Sequence, residues 1–316
     1  MHTSKNAPCD PHDSPFARML AQALHLPPMR TAVVHPVDEA SLLGAVQGRD
    51  AGLMDPILIG PRAKIDAAAQ AAHIDISGID RIDTEHSHAA AEEGVRLARA
   101  GEAEAIMKGS LHTDELMSAV MAPNGLKTDR RISHVFMLGV PNYHKPLFIT
   151  DAAINIVPEL EDKADIIRNA IDLCHALGIA LPKVAILAAI ETVHPRMRST
   201  IEAAALCKMA DRGQITGGLL DGPLAFDNAI SHEAAMIKHI VSPVAGDADI
   251  LVAPDLEAGN MIAKQLIYLA SAQVAGIVLG ARVPIMLTSR SDDADARTAS
   301  AALALLFARH RVKAKV

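Results

Sequence analysis

Short apolar runs alternate with helical patterns along almost the entire chain, and a chain patterned in this way folds as successive βα units on a mainly parallel sheet. The first strand-like runs are TAVVH from Thr31, PILIG from Pro56, AIMKG from Ala105, HVFML from His134 and LFITD from Leu147. A second series comprises KVAILAA from Lys183, TGGLLDG from Thr216, DILVAPD from Asp249, AGIVLGA from Ala275 and PIMLTS from Pro284. Several runs are apolar on successive residues, so both faces are covered, as they are when helices flank a parallel sheet. Between Glu159 and Gly178, Leu160, Ala164, Ile167, Ile171 and Cys174 recur at helical spacing. This predicts a surface helix with one apolar stripe, capped at its C-terminus by Gly178. The break between the two series, near Thr150 to Pro158, has no Gly/Ser-rich linker. Two α/β domains joined by a short hinge are expected, which suits a chain of 316 residues.

Composition narrows the function. With five Phe, two Tyr and no Trp, the core must rely on Ala, Val, Ile, Leu and Met, and little is left to stack nucleic-acid bases. A net charge of −7 without a long basic run points away from nucleic acid as well. Any anionic ligand must therefore be held by local basic residues. Charges or turn residues break every apolar run short of the ~20 residues a membrane span requires. Cys9, Cys174 and Cys207 are odd in number and lack CxxC spacing, which fits a reducing compartment, so the cytoplasm is expected. The opening MHTSKNAPCDPHDSPF reads as a polar tail, with neither the apolar core of a signal peptide nor the arginine bias of a transit peptide.

In open α/β sheets ligands sit beyond the carboxyl ends of the strands, so the residues just after each apolar run carry the chemistry. Those residues are Lys108 to Thr113 (KGSLHT), Thr150-Asp151 with Asn155, Asp221 to Asn228 (DGPLAFDN), Pro254 to Asn260 (PDLEAGN) and Thr288-Ser289-Arg290. KGSLHT with Arg130 and Arg131 behind it, Gly259-Asn260, and TSR between them offer cations, hydroxyls and glycines of the kind a phosphate or acyl-phosphate needs. Each also has a plainer reading: the Ser-Arg pair as a helix cap, Gly109 as a turn, Asp221 and Asp227 as caps. Other chemistries find less support. There is no Walker A loop, no GxGxxG and no GxSxG. His232-Glu233 lacks the second histidine of HExxH, and Glu85-His86-Ser87-His88 lacks a matching ligand pair. Cys174 and Cys207 fall in helical patterns and read as packed thiols.

Taken together, the stretches MKGSLHTDEL, ISHVFML, ITDAAINIVPELEDK, VAILAAIETVHPRMRST, MADRGQITGGLLDGPLAFDNAIS, SPVAGDADILVAPDLEAGNMIAKQL and PIMLTSRSDDA resemble the phosphate acetyltransferase/phosphate butyryltransferase family. The likeness runs from about Thr31 to Ala308, and SHV, DGPLAFDNAIS and AGDADILVAPD resemble the butyryltransferase branch more closely. It implies reversible acyl transfer, acyl-CoA plus phosphate giving acyl-phosphate plus CoA, by direct attack of the CoA thiolate and without a metal or organic cofactor. It also implies an isocitrate/isopropylmalate dehydrogenase-like arrangement: two α/β domains, mainly parallel sheets flanked by helices, a cleft between them, and a homodimer. Residues 1–150 with 285–316 would form the first domain and residues 151–284 the second.

Such a reaction must deprotonate a thiol, hold a dianionic phosphate and stabilise a tetrahedral oxyanion. Ser289 and Arg290 match the family's Ser-Arg pair, for oxyanion and phosphate respectively. Lys108, Thr113 and Arg131 are candidates to complete the phosphate site, with Gly109, Ser133, Gly259, Asn260 and Lys264 as further phosphate- or CoA-binding candidates. The family's proposed base lies seven residues after the serine, where this chain has Ala296. Asp295 and Asp292 are the favoured substitutes, beside Asp293, and Asp221 and Asp227 stay in consideration. Two other classes remain open. One is a non-catalytic CoA- or acyl-phosphate-binding protein; the other is a metal-dependent dehydrogenase with Asp221, Asp227 and Asp255 as magnesium ligands.

Overall fold

The computed structural model describes residues 14–287 and 293–313. Its strands are β1 (Met29–Val34), β2 (Met54–Gly60), β3 (Asp80–Asp83), β4 (Ala105–Lys108), β5 (Ser133–Gly139), β6 (Leu147–Thr150), β7 (Lys183–Leu187), β8 (Leu219–Leu224), β9 (Ile250–Val252), β10 (Gln273–Leu279) and β11 (Ile285–Met286). All ten apolar runs become strands. The added one, β3, has the sequence DRID and lies at the sheet margin, half open to solvent, where no apolar run is needed.

The helices are α1 (Pro15–Ala23), α2 (Glu39–Asp50), α3 (Arg62–Ala71), α4 (Ser87–Ala100), α5 (Thr113–Met121), α6 (Leu160–Ala176), α7 (Arg198–Asp211), α8 (Phe226–Ile230), α9 (His232–Ile237), α10 (Leu256–Leu269) and α11 (Ala294–Lys313). Their starts are chemically marked. Asp38 accepts from the Ser41 amide ahead of α2, Glu159 and Asp162 form a capping box on α6, and Asp255 accepts from the Ala258 amide on α10.

The strands form one sheet in the order β3–β2–β1–β4–β11–β10–β5–β6–β9–β7–β8. The first five are parallel to one another, and so are the last four. Between them, β10 is antiparallel to both β11 and β5, and β5 is antiparallel to β6. Three reversals turn the second group the other way. The carboxyl ends of β1, β4 and β11 thus share one edge, here the upper edge, while those of β6 to β9 share the lower.

Helices α1, α2, α3, α6, α7 and α11 cover one face; α4 and α5 cover one half of the other face and α8 to α10 the rest. In α11, Ala301, Ala302, Leu303, Ala304 and Leu305 are buried on successive residues, because the helix lies among α1, α2, α6 and β10. Burying each of its leucines contributes about 1.5–3 kcal/mol.

Helix α6 is covered more deeply than a surface helix with one stripe. Lys163, Ile166, Asn169 and Leu173 are buried beside the expected stripe, since α11 and α7 both pack on it. The two polar residues are satisfied: Lys163 pairs with Glu202 at 2.5 Å, and Asn169 donates to the Arg131 carbonyl and to Ser133. Gly178 has φ +83°, the left-handed conformation expected of the residue closing this helix.

At the upper edge of the second half, Lys145 bridges Asp247 and Asp249 while Lys183 binds the other oxygen of Asp247. Burial opposes ionisation of Asp247, but the bonds from Lys183 and Lys145 outweigh it and hold the carboxyl well below the usual range.

Candidate active site

Strand β11 has only two residues and meets β10 at the single pair Val278–Ile285, so the first half of β10 is left without a β11 partner. Part of that edge is closed by α11, whose Ser300 hydroxyl accepts from the Gly276 amide at 3.0 Å. The gap among β10, α10 and α11 is a cavity of about 530 Å³. Helix α10 runs back toward the upper edge and lines it with Asn260, Lys264 and Tyr268. Leu287, at the end of β11, and Asp293 and Asp295, at the start of α11, form the opposite wall. Segment 288–292 therefore leaves from one wall residue and returns to another. Ser289, Arg290 and Asp292 belong to it and lie outside the described residues.

The two described aspartates of this junction, Asp293 and Asp295, separate by what they touch. Asp293 Oδ1 accepts from the Ala296 amide at 2.8 Å, so Asp293 caps α11. Asp295 is exposed within the first turn and faces the cavity, and Ala296 sits beside it in the wall. The carboxylate that can reach a bound thiol from the described part of this segment is therefore Asp295 rather than the cap.

The floor of the cavity contains Gly276 and Phe136, with His134 packed beside them. A Cβ at Gly276 would come within 2.9 Å of the His134 ring, so a side chain there would displace the imidazole. His134 Nδ1 is buried without a partner, and burial, opposed by Asp151, pushes the imidazole down to about 4. It is neutral at physiological pH.

Together with Asp247 this fixes how the fold responds to acid. Both groups have folded pKa values below their unfolded ones, so the unfolded chain binds the extra proton and stability falls with pH. His134 should weaken the fold from about pH 6.5 down to about 4, and Asp247 below about 4. Urea unfolding at pH 7.5, 5 and 3.5 tests this. His134→Gln should remove the first decline and Asp247→Asn should reduce the second; a wild-type stability that is flat from pH 7.5 to 5 would contradict it.

Lys108 ends β4 level with Leu287, because Met107 pairs with Met286. It thus stands at the upper edge beside the root of segment 288–292. Its ammonium donates to the carbonyls of Gly109 and Leu111 in its own loop. Gly109 is required here: a Cβ would lie 2.5 Å from the Val34 carbonyl oxygen, where β1 and β4 converge. Thr113 opens α5 just beyond.

The structure brings together Asn260, Lys264, Asp295, Leu287 and Asp293, with Lys108, Gly109 and Thr113 on the adjoining rim. Other candidates lie elsewhere. Arg131 precedes β5 at the lower edge, where it donates to Asn155 Oδ1 at 2.7 Å and pairs with Asp162 at 3.4 Å. Asn155 in turn binds Asp151, whose carboxylate also accepts from the amides of Ala153, Ile154 and Asn155. Ser133 is buried against Asn169. Gly259 lets α10 dock on the 151–152 backbone, since a Cβ would meet the Asp151 carbonyl oxygen at 2.5 Å, and Asn260 donates to the Ala152 carbonyl.

Asp227 lies past the lower end of β8, and Asp221 lies within that strand; Asp221 accepts from the Gly222 amide and Asp227 pairs with Lys238 at 3.5 Å. With Asp255 engaged as the α10 cap, the three carboxylates of the dehydrogenase alternative are separately occupied. Among the described residues no group of three metal-ligating side chains converges. His86 caps α4 and His88 pairs with Glu115. Burial raises both remaining thiols, Cys207 to about 12, which removes them as nucleophiles. Phe136, Tyr268, Gly276 and Ser300 were not singled out from sequence. Only Gly276 carried a signal, a glycine within an apolar strand, which marks a close approach.

Residues 89–305 match the family described as Phosphate acetyl/butaryl transferase. A phosphate acetyltransferase of Rhizobium meliloti is 58% identical over 96% of this chain and 96% of its own. A phosphate butyryltransferase of Clostridium beijerinckii is 38% identical over 93% of this chain and 97% of its own. The order of these two is the reverse of the lean suggested by the SHV and DGPLAFDNAIS stretches. A branched-chain phosphotransacylase from Enterococcus faecalis V583, known by its crystal structure, superposes with a TM-score of 0.78 at 28% identity, covering 89% of this chain and 99% of that one.

Proposed function

The chain belongs to the phosphate acetyl/butyryl transferase family, and from that premise we propose that it is an acyltransferase moving a short-chain acyl group reversibly between CoA and inorganic phosphate. The observation that carries the site is that Leu287 and Asp293, the residues bracketing Thr288 to Asp292, both line one cavity. In the thioester-forming direction the CoA thiol enters along α10. Asp295 takes its proton, the thiolate attacks the acyl carbon of the acyl-phosphate, Ser289 donates to the oxyanion, and phosphate leaves held by Arg290. Lys264 and Lys108 supply further positive charge for the phosphates of CoA and substrate. CoA is a substrate in this scheme, and the reading assigns no metal or organic cofactor.

Acetyl is the favoured acyl group, on the strength of the 58% identical relative's name against the 38% identical butyryltransferase. Selection is expected to be modest, since one methylene changes discrimination by only about 1–3 kcal/mol. Initial rates with acetyl-, propionyl- and butyryl-phosphate test it: acetyl-phosphate should give the highest kcat/KM, and a butyryl preference of tenfold or more would reverse the assignment.

We further infer a division about the cavity into residues 1–150 with 285–316 and residues 151–284, in the manner of isocitrate and isopropylmalate dehydrogenases. The change of strand direction at β5–β6 supports it. A homodimer is supported by Met236, Ile237 and Val241, large apolar side chains exposed on and just after α9; sedimentation should return twice the chain mass. No helix among the described residues is long and apolar enough to cross a membrane, and the cysteine pattern supports a cytoplasmic location.

A further inference from the structure

The lower edge holds a second recess, beyond the end of β10 at Leu279, which is about 10 Å from Gly276 of the catalytic cavity at the ~3.3 Å rise of a strand residue. It has a volume of about 360 Å³ and lies among the C-terminal end of α4, Thr128, the residues after β10 and the end of α11. Arg99, Arg282 and Arg311 line it, and among the described residues no acidic side chain does.

Most arginines elsewhere are paired. Arg30, Arg96, Arg130 and Arg309, for example, each meet a carboxylate. Among the described residues Arg99, Arg282 and Arg311 do not; Arg99 reaches only the Asn124 carbonyl. Asp129 and Asp172 line an adjoining recess that shares Thr128 and Arg311, and there Asp172 is taken up by Arg130. In these two recesses cations outnumber anions, although the chain as a whole is acidic.

The arginine at the centre is also held in place. Arg311 donates to the carbonyls of Ala281 and Arg282 at 2.8 and 3.2 Å, and its guanidinium lies 5.8 Å from the centre of the Phe307 ring. Burial, reinforced by Arg130 and opposed by Asp172, lowers its pKa below the usual value. Like charges gathered without counter-ions cost stability unless an anion joins them. Guanidinium forks match phosphate oxygens in geometry as well as in charge. The recess is roomy for a lone phosphate and falls in the lower range of small-molecule pockets.

We propose that the recess formed by Arg99, Arg282, Arg311 and Thr128 is a second anion site, distinct from the catalytic cavity, that takes a small compound carrying at least two phosphate groups. An occupant would tie the ends of α4, β10 and α11 together, and α11 carries Asp293 and Asp295 at its other end.

Calorimetric titration of the full-length protein with pyrophosphate and with ADP, at constant ionic strength, tests this against Arg99→Gln/Arg282→Gln. In the wild type, with CoA and phosphate present at saturation to fill the catalytic cavity, one remaining class of sites is expected whose affinity falls at least tenfold in the double variant, while the KM values for CoA and phosphate stay within twofold. Arg311→Gln, unfolded in parallel to check its stability, should act in the same direction. Loss of both titrants means that the phosphate groups alone are recognised; loss of ADP alone means that an organic diphosphate is required. Superimposable isotherms in the two proteins overturn the proposal. A CoA KM that rises in step with the lost affinity also overturns it, by making the recess part of the catalytic site. Absence of turnover in both proteins would instead count against the enzymatic reading.

Discussion

Arg290→Ala is expected to lower kcat/KM for acyl-phosphate by about 10²–10³-fold, the loss typical when a charge-stabilising group is removed from an acyl-transfer site. The guanidinium has two roles in the scheme: it holds the dianionic phosphate in bidentate fashion, and it stabilises the charge that collects on the leaving group. A lysine keeps the charge but not the fork, so Arg290→Lys should recover part of the loss. CoA affinity, measured directly, should change little in either variant. An Arg290→Ala enzyme with wild-type kcat/KM would remove the residue from the site. The assignment is supported by Leu287 and Asp293, which flank the segment in sequence and both line the cavity.

Asp295→Asn should reduce turnover by about 10²–10⁴-fold, the range for loss of a general base, with the fold intact. The size of the loss should depend on pH. An unassisted thiol ionises near its own pKa of about 8.5, so the deficit should shrink as the pH is raised toward that value. A deficit independent of pH would mean that Asp295 does something other than take the proton.

Asp293→Asn is the internal control, because asparagine caps a helix about as well as aspartate. It should keep turnover near wild type, whereas Asp293→Ala should cost about 1 kcal/mol of stability. If Asp292→Asn, and not Asp295→Asn, abolishes turnover, the base lies one turn earlier in the segment.

Most of the sheet could be read from the chain because strands buried on both faces need unbroken apolar runs, and ten such runs are present. β3 escaped because a short marginal strand open to solvent needs no such run, and DRID pairs with β2 through its backbone. The burial of α6 was understated for a related reason. A single stripe records one packing partner, while α11 and α7 together enclose Lys163 and Asn169, whose polar ends are met by Glu202, Ser133 and the Arg131 carbonyl.

At the end of β11 the sequence pointed to a strand-to-helix junction, and Leu287 and Asp293 on either side of it line one cavity. The sequence was less informative where residues of catalytic type have structural partners. Arg131 and Asp227 look alike in sequence as ligand-binding candidates, but the first is bonded to Asn155 and the second paired with Lys238. No residue spacing encodes the three antiparallel pairings that send β6 to β9 the other way, and those pairings decide which strand ends can share a cavity. Gly109 and Gly259 show the converse. Both were noted as glycines that could admit a phosphate, and at both a Cβ would strike a carbonyl oxygen of the protein itself at 2.5 Å.

The central claim is metal-independent acyl transfer between phosphate and CoA. It is tested most directly by following thioester absorbance when the purified protein is mixed with CoA and acetyl-phosphate in the presence of excess chelator. Steady thioester formation that continues over many turnovers, and that reverses when acetyl-CoA and phosphate are supplied instead, is the expected result. Binding of CoA with no thioester formed from any short acyl-phosphate would contradict it.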